Sequence, residues 1–429
     1  MRVLASLATL LLAACSGEQA SAPVDEPEQA VEEASPEQTV RFATYNTYLN
    51  RPAEGVLQTD LQTPDNAQAR KVAEIIQRMA PDVLVLNEFD YDEAGEGLRL
   101  FQENYLEVSQ NGAEPAIYPH VFVAPSNTGL ASNHDLNSDG VVTTTPGSRE
   151  YGGDAFGYGE FPGQYAMALL SKYPIDAEAV RTFQTFLWKD MPGALLPDDP
   201  ATPEPADWYS AEALEDFRLS SKNYWDAPVV IGETRVHVLA SHPTPPGFDG
   251  EEDRNGKRNF DENRFWADYI ADGEGGYIYD DRGVAGGLET GARFVIMGDL
   301  NADPNDGGAV PGSIRQLIEA PAVMNAPAPT SSGGAAQADI QGGANLTHVG
   351  PASEDSADFN DDPERGIGNL RLDYVLFSKF GLRQQEGAEA SGIFWPGPEE
   401  THYDLIGPGF PVESSDHRLV WRELVIIDE

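Results

Sequence analysis

Phe294-Val-Ile-Met-Gly-Asp-Leu-Asn301 is the stretch on which the reading of this chain turns. Four apolar residues run into Gly298, and an acid and an amide follow two positions apart. The apolar run predicts a buried strand, with Gly298 and Asp303-Pro304 as its exit turn. Positions i and i+2 of an extended chain share a face, so Asp299 and Asn301 emerge together at the strand end. A carboxylate there can polarise a water, and a neutral amide can hold a phosphate oxygen without repelling it. A strand followed by an Asx turn would read the same way, so the rest of the chain has to decide.

Working outward, strands are predicted over 40–46, 81–87, 165–170, 236–240, 294–297, 372–377 and 418–425. Apolar spacing predicts helices over 67–79, 261–270 and 314–318. Many strands with few helices between them suggest two packed sheets flanked by helices. Stretches 127–162, 190–225 and 326–364 are rich in Gly, Ser, Asp and Pro and read as long excursions. The strand ends carry the chemistry. Asn46 follows one strand, Glu88 the next, and His242 a third, in Leu239-Ala-Ser-His242-Pro-Thr-Pro-Pro. Asp373 lies in Arg371-Leu-Asp-Tyr374, and Asp416 and His417 stand in Ser414-Ser-Asp-His417 before the last strand. Singly, each is an ordinary turn or capping residue. Together they are oxygen and imidazole groups suited to hard cations and phosphate chemistry.

The chain has 429 residues, 40% of them hydrophobic, and no break after its first residues marks a second domain. Its net charge of −44 argues against tight nonspecific binding to nucleic acid or to anionic membrane surfaces. The single cysteine, Cys15, excludes an internal disulfide. Arg2, the short apolar run 3–12 and Leu12-Ala-Ala-Cys15 resemble the signal peptide and lipobox of bacterial lipoproteins. That resemblance implies that Cys15 is lipidated, and Ser16 after it favours the outer membrane of the cell envelope. A signal peptide cleaved near the alanine pair is the alternative, and both readings export the protein. Residues 16–38 form a Glu-, Ala- and Pro-rich tether without aromatics, and folded sequence is expected over 39–429.

Thr44-Tyr-Asn46, Asn87-Glu88, Gly298-Asp-Leu-Asn301, Arg371-Leu-Asp-Tyr374 and Ser415-Asp-His417 occur in an order that strongly resembles the endonuclease/exonuclease/phosphatase superfamily. Its members include deoxyribonucleases, abasic-site endonucleases, neutral sphingomyelinases and inositol polyphosphate phosphatases. The resemblance covers 40–425 and implies a four-layer α/β/β/α sandwich of two packed mixed sheets with flanking helices. It implies a Mg²⁺ site, with Mn²⁺ as the substitute, held by Glu88, Asn46 and Asp416. His417 would contact the scissile phosphate and Asp373 would orient it. Asp299 would position the attacking water, Asn301 would support phosphate and nucleophile, and His242 would be the second histidine of the deoxyribonuclease and sphingomyelinase branches. One position departs: Gln164 falls where the deoxyribonuclease branch has a glutamate partner for that second histidine.

Two other features stand apart. Asp135-Leu-Asn-Ser-Asp-Gly140 matches the start of a calcium loop at Asp135, Asn137 and Asp139. Pro146 replaces the expected glutamate, so a Ca²⁺ ion would need a distant acid such as Glu150 or Asp154; otherwise this is a Gly-rich turn. Arg254 and Arg258, with Arg264, either bind an acidic part of the substrate or pair with nearby acids, and pairing is expected for at least one. No Gly-x-Ser-x-Gly elbow, zinc helix or phosphate loop is present, since Gly256-Lys257 is followed by Arg258. The expected activity is metal-assisted hydrolysis of a phosphate ester, diesters favoured. A nuclease is the alternative, and a non-catalytic surface lipoprotein is the bland one.

Overall fold

The structure is a computed structural model and describes residues 38–427; Cys15 and the tether before Gln38 lie outside the described residues. The strands are β1 (Gln38–Leu49), β2 (Val83–Phe89), β3 (His120–Phe122), β4 (Met167–Ser171), β5 (Arg181–Thr182), β6 (Tyr224–Ile231), β7 (Thr234–Ser241), β8 (Phe294–Asp299), β9 (Ala357–Asp358), β10 (Asn369–Leu370), β11 (Asp373–Phe377), β12 (Leu382–Gln384), β13 (Ser391–Ile393) and β14 (Val420–Ile426). The α-helices are α1 (Val56–Leu61), α2 (Ala67–Met79), α3 (Glu96–Phe101), α4 (Arg149–Gly153), α5 (Ala211–Asp216), α6 (Arg254–Ile270), α7 (Arg315–Ile318) and α8 (Ser332–Gln341).

One large sheet has the order β12-β14-β1-β2-β4-β3, with β13 also paired to β14; the other runs β11-β8-β7-β6-β5. β1 and β2 are parallel, as are β7 and β8, while their other neighbours are antiparallel, so both sheets are mixed. Side-chain alternation builds the layers. Val238, Ala240, Val295 and Met297 join Phe42, Val83 and Val85 of the other sheet in the core between the sheets. Leu239 and Ile296, one residue out of phase, instead pack with Phe265, Trp266 and Tyr269 of α6. On the far side α2 buries Val72, Ile75 and Ile76. Helices outside two packed sheets make the four-layer sandwich expected from the sequence. Among the described residues no helix is long and apolar enough to cross a membrane.

Three expectations shift. The strand expected from 165 starts at Met167, because Tyr165 takes a φ of 58° and its N–H bonds to Asp90 Oδ1 at 3.2 Å. β6 begins inside the excursion expected over 190–225. Its Asp226 and Pro228 hide the strand pattern; Pro228 lies beyond the two residues that β5 pairs, on an edge met there by the irregular segment 174–176. Finally, α6 starts seven residues before the predicted 261, since its first turns bury polar groups instead of a hydrophobic stripe.

Candidate functional site

Strand register brings the site residues together. Asn46 lies opposite Asn87 across β1 and β2, and Asp299 lies opposite Asp373 across β8 and β11. β7 ends at Ser241 beside β8, which delivers His242 to the same edge. His417 reaches it through an isolated bridge with Ala357. Glu88 and Asn301 have φ of 53° and 51°, a backbone sharply turned at each strand end.

Asp299 is the centre. Its Oδ2 accepts from Asn46 Nδ2 at 3.1 Å and lies 3.4 Å from His242 Nε2 and 3.7 Å from His417 Nε2. Its N–H donates to Asn87 Oδ1, and its Oδ1 accepts from Asn301 N–H. His417 Nδ1 meets Asp373 Oδ2 at 2.8 Å, and Ser356 Oγ holds the same oxygen at 2.8 Å. Burial opposes protonation of His417, but Asp373 and Asp299 outweigh it and hold the imidazole up at about 10. Burial, and then the neighbouring Lys222 and His417, push His242 well below the ordinary histidine range. The site therefore sets a protonated His417 and a neutral His242 on either side of one carboxylate. Burial raises Asp299 to about 6, with His417 pulling the other way.

Glu88 and Asp416 face the same cleft. Loss of water lifts Glu88 to about 7, and the charge of Asp416 adds to the shift. Asn50 Nδ2 donates to Glu88 Oε2 at 2.7 Å. Asp416 Oδ1 is buried with no hydrogen-bond partner among the described residues. Two neighbouring carboxylates, both raised by burial and one with an orphaned oxygen, fit a hard divalent cation, with the Asn46 amide beside them. Asp299, Asp373 and His417 form a tighter group still, all three within 4.8 Å. There, however, Asp373 Oδ2 is taken by His417 Nδ1 and Ser356 Oγ, and Asp299 Oδ2 by the Asn46 amide, which leaves Asp373 Oδ1 as the oxygen without a partner among the described residues. Glu88 and Asp416 are the better ligand pair.

Several expectations are corrected. Gln164 is not beside His242: its amide donates to the Arg51 carbonyl at 2.7 Å and accepts from Glu160 N–H at 2.7 Å. The charged neighbour of His242 is instead Lys222, buried, with Nζ 3.4 Å from the Pro243 carbonyl. Sequence reasoning missed this lysine because it sits in Ser220-Ser-Lys-Asn223, inside an apparent excursion; a buried β6 following it was the available signal. Arg258 is also corrected: its guanidinium is buried against the Leu219, Phe156 and Arg218 carbonyls and is not free for substrate. Arg254 pairs with Glu252, and Arg264 pairs with Asp268 at 3.0 Å. In the calcium-loop candidate, Asp135 and Asp139 accept backbone N–H groups of Asp139, Gly140 and Val141, and Asn137 accepts from Asp139 N–H. Asp154 holds the loop from within, through Leu136 and Thr143 N–H. These oxygens close a polar turn, and among the described residues the loop makes no group of three acids or histidines close enough to share an ion.

The model of the Endonuclease/Exonuclease/phosphatase family matches residues 43–417. No curated protein sequence matches the chain. Solved structures similar to it include an endonuclease/exonuclease/phosphatase from Beutenbergia cavernae DSM 12333, at 16% identity, 90% of this chain, 72% of that chain and TM-score 0.45. Sphingomyelinase C from Streptomyces griseocarneus is 16% identical over 91% of this chain and 100% of that one, at TM-score 0.41. A Staphylococcus aureus beta toxin variant with bound magnesium ions is 13% identical over 91% of this chain and 100% of that one, at TM-score 0.40.

Proposed function

The chain belongs to the endonuclease/exonuclease/phosphatase family, and from that premise we propose that it is an exported, Mg²⁺-dependent phosphoesterase that hydrolyses phosphodiesters in preference to monoesters. The observation that carries this reading is the line Asp373–His417–Asp299–His242, set beside Glu88 and Asp416, whose Oδ1 has no partner among the described residues.

Glu88, Asp416 and Asn46 would hold the cation, which supplies charge neutralisation and Lewis acidity at the phosphate oxygens. Asp299 orients the attacking water and takes its proton. Its position between two histidine nitrogens and the Asn46 amide leaves it little freedom to turn away. Asn46 and the Asn87-bound backbone hold that carboxylate in place before substrate arrives. His417, kept protonated by Asp373, donates to the phosphate oxygens as charge grows on them. Neutral His242 offers a second nitrogen, and beside it stands Lys222, whose charged form burial disfavours and Glu262 favours. An alkoxide leaving a diester needs this donor support, which is the reason diesters are favoured. Asn301 turns its amide to the Pro243 carbonyl at 3.0 Å, and so ties the His242 loop to the end of β8. Export rests on Cys15 and the run before it, with a lipid anchor at the outer membrane as the proposed address.

The test is nitrophenol release from bis-nitrophenyl and mono-nitrophenyl phosphate, with and without EDTA. The expected result is EDTA-sensitive release, faster from the diester and restored by Mg²⁺. Glu88→Gln should lower the rate at limiting Mg²⁺ by about 10²-fold or more, since it removes a charged ligand. Release that ignores EDTA, or a Glu88→Gln rate within about threefold of wild type, would overturn the metal assignment. Cleavage of DNA at a comparable rate would favour the nuclease reading, against which the charge of −44 weighs.

A further inference from the structure

One face of α6 is polar and fully buried. Asn259, Glu262 and Asn263 are each 0% exposed, and with Trp266 they follow the i, i+3, i+4, i+7 spacing of a single helical stripe. Such a stripe would ordinarily be apolar, because a buried carboxylate and two buried amides are costly unless every oxygen and N–H is used. Here most of the partners are backbone groups of the loops that carry the site, and Asn263 Oδ1 is left without one among the described residues.

Glu262 Oε1 accepts from Ser221 N–H at 2.7 Å, the residue before Lys222. Its Oε2 accepts from Thr244 N–H at 2.5 Å, two residues after His242. Asn259 Nδ2 donates to the Thr244 carbonyl at 2.9 Å and to the Leu300 and Asn301 carbonyls at 3.2 Å each. Asn263 Nδ2 donates to Leu300 O at 3.2 Å, and Trp266 Nε1 donates to Ser241 Oγ at 2.9 Å. Four consecutive helical contacts therefore reach the backbone or neighbour of Lys222, His242 and Asn301. None of the four belongs to the line of acids and histidines at the site.

We propose that the buried polar face of α6, centred on Glu262, is a positioning device that sets Lys222, His242 and Asn301 relative to one another for the hydrolysis proposed above. Loops leaving different strands have no ladder to register them, and a shared carboxylate does that work. Glu262 bridges two loops with its two oxygens, so each loop's placement depends on the other. It also stands against Lys222, where it counters the downward pull of burial on the amine. The inference rests on the phosphoesterase reading for its kinetic test but not for its structural one.

Glu262→Gln keeps the shape and replaces one acceptor by a donor that cannot take an N–H. In the full-length enzyme with Mg²⁺ and bis-nitrophenyl phosphate, kcat should fall on the order of 10²-fold with KM little changed, because misplaced groups cost rate more than binding. Combining Glu262→Gln with His242→Ala should add little, since both disable one unit. Independently of activity, nitrogen-15 spectra of the imidazoles should show the His242 ring moved in Glu262→Gln and the His417 ring unmoved. A kcat within about threefold of wild type, fully multiplicative losses, or an unmoved His242 ring would overturn the proposal. If Glu262→Gln does not fold, Ser241→Ala, which removes the hydroxyl that Trp266 Nε1 bonds and leaves the buried indole in place, decides by the same His242 signal. Wild-type protein that cleaves no phosphate ester would overturn the phosphoesterase reading, and the spectra would then decide the positioning role alone.

Discussion

Asp373 and His417 are expected to act as one unit, because among the described residues Asp373 Oδ2 is the carboxylate oxygen on His417 Nδ1 and is itself braced by Ser356. His417→Ala and Asp373→Asn should each lower kcat by ~10²-fold or more. The double variant should be little worse than His417→Ala; fully multiplicative losses in the measured kcat values would place Asp373 in another role. Away from this line, Asp355 offers a test of stability against pH. Burial raises its carboxyl to about 8, with Asp303, Asp306 and Glu354 adding to the shift. Its folded value lies above the unfolded one of about 4, so the folded state binds the proton more tightly. Wild-type stability from this group is therefore full below about pH 4 and is lost as pH rises through about 8. Asp355→Asn removes that loss. Thermal melts should show the variant gaining more over wild type at about pH 9 than at about pH 5, and an equal gain at both would show that Asp355 is not buried as described.

At the scale of elements, the β7–β8 pairing determines where His242 and Asp299 meet. Gly298 makes that approach possible: a Cβ there would sit 2.0 Å from the Ser241 carbonyl oxygen. Any side chain must push β8 away from β7 at the point where both strands hand over their site residues. Gly298→Ala should cost at least about 2 kcal/mol and lower activity along with Tm. A variant with wild-type Tm and kcat would mean the two strands are not held at this distance. The length of α6 is the other lesson here. Its stripe of Asn259, Glu262 and Asn263 carries no hydrophobic period, so spacing rules located only the aromatic half of the helix.

For the whole molecule, the charge of −44 and the single cysteine bear on where the protein works and not on how it folds. If Cys15 carries lipid, Cys15→Ala should move the protein from the membrane fraction to a soluble pool. Fractionation that finds both forms equally membrane-bound would refute the anchor. The two sheets form one core through Val238, Met297 and their partners, and the site lies where strands of both sheets end together.

Residues that the fold gathers where strands end were legible in the sequence. Asn46, Glu88, His242, Asp299, Asp373 and His417 each follow or flank an apolar run, and apolar runs report strands through burial alone. The order of those blocks also carried the sandwich, since local spacing and chain order are properties of the sequence itself. What only the tertiary structure decided lay in polar groups whose partners are distant along the chain. Lys222 looked like loop, Gln164 fell at the place of a partner for His242, and Arg258 was left between binding substrate and pairing with a nearby acid. The structure buries the lysine beside His242, bonds the glutamine to Arg51 and Glu160, and closes the arginine in carbonyls. A polar side chain's role depends on which donor or acceptor the fold brings within about 3 Å of it, and no pattern along one stretch of chain encodes that distance.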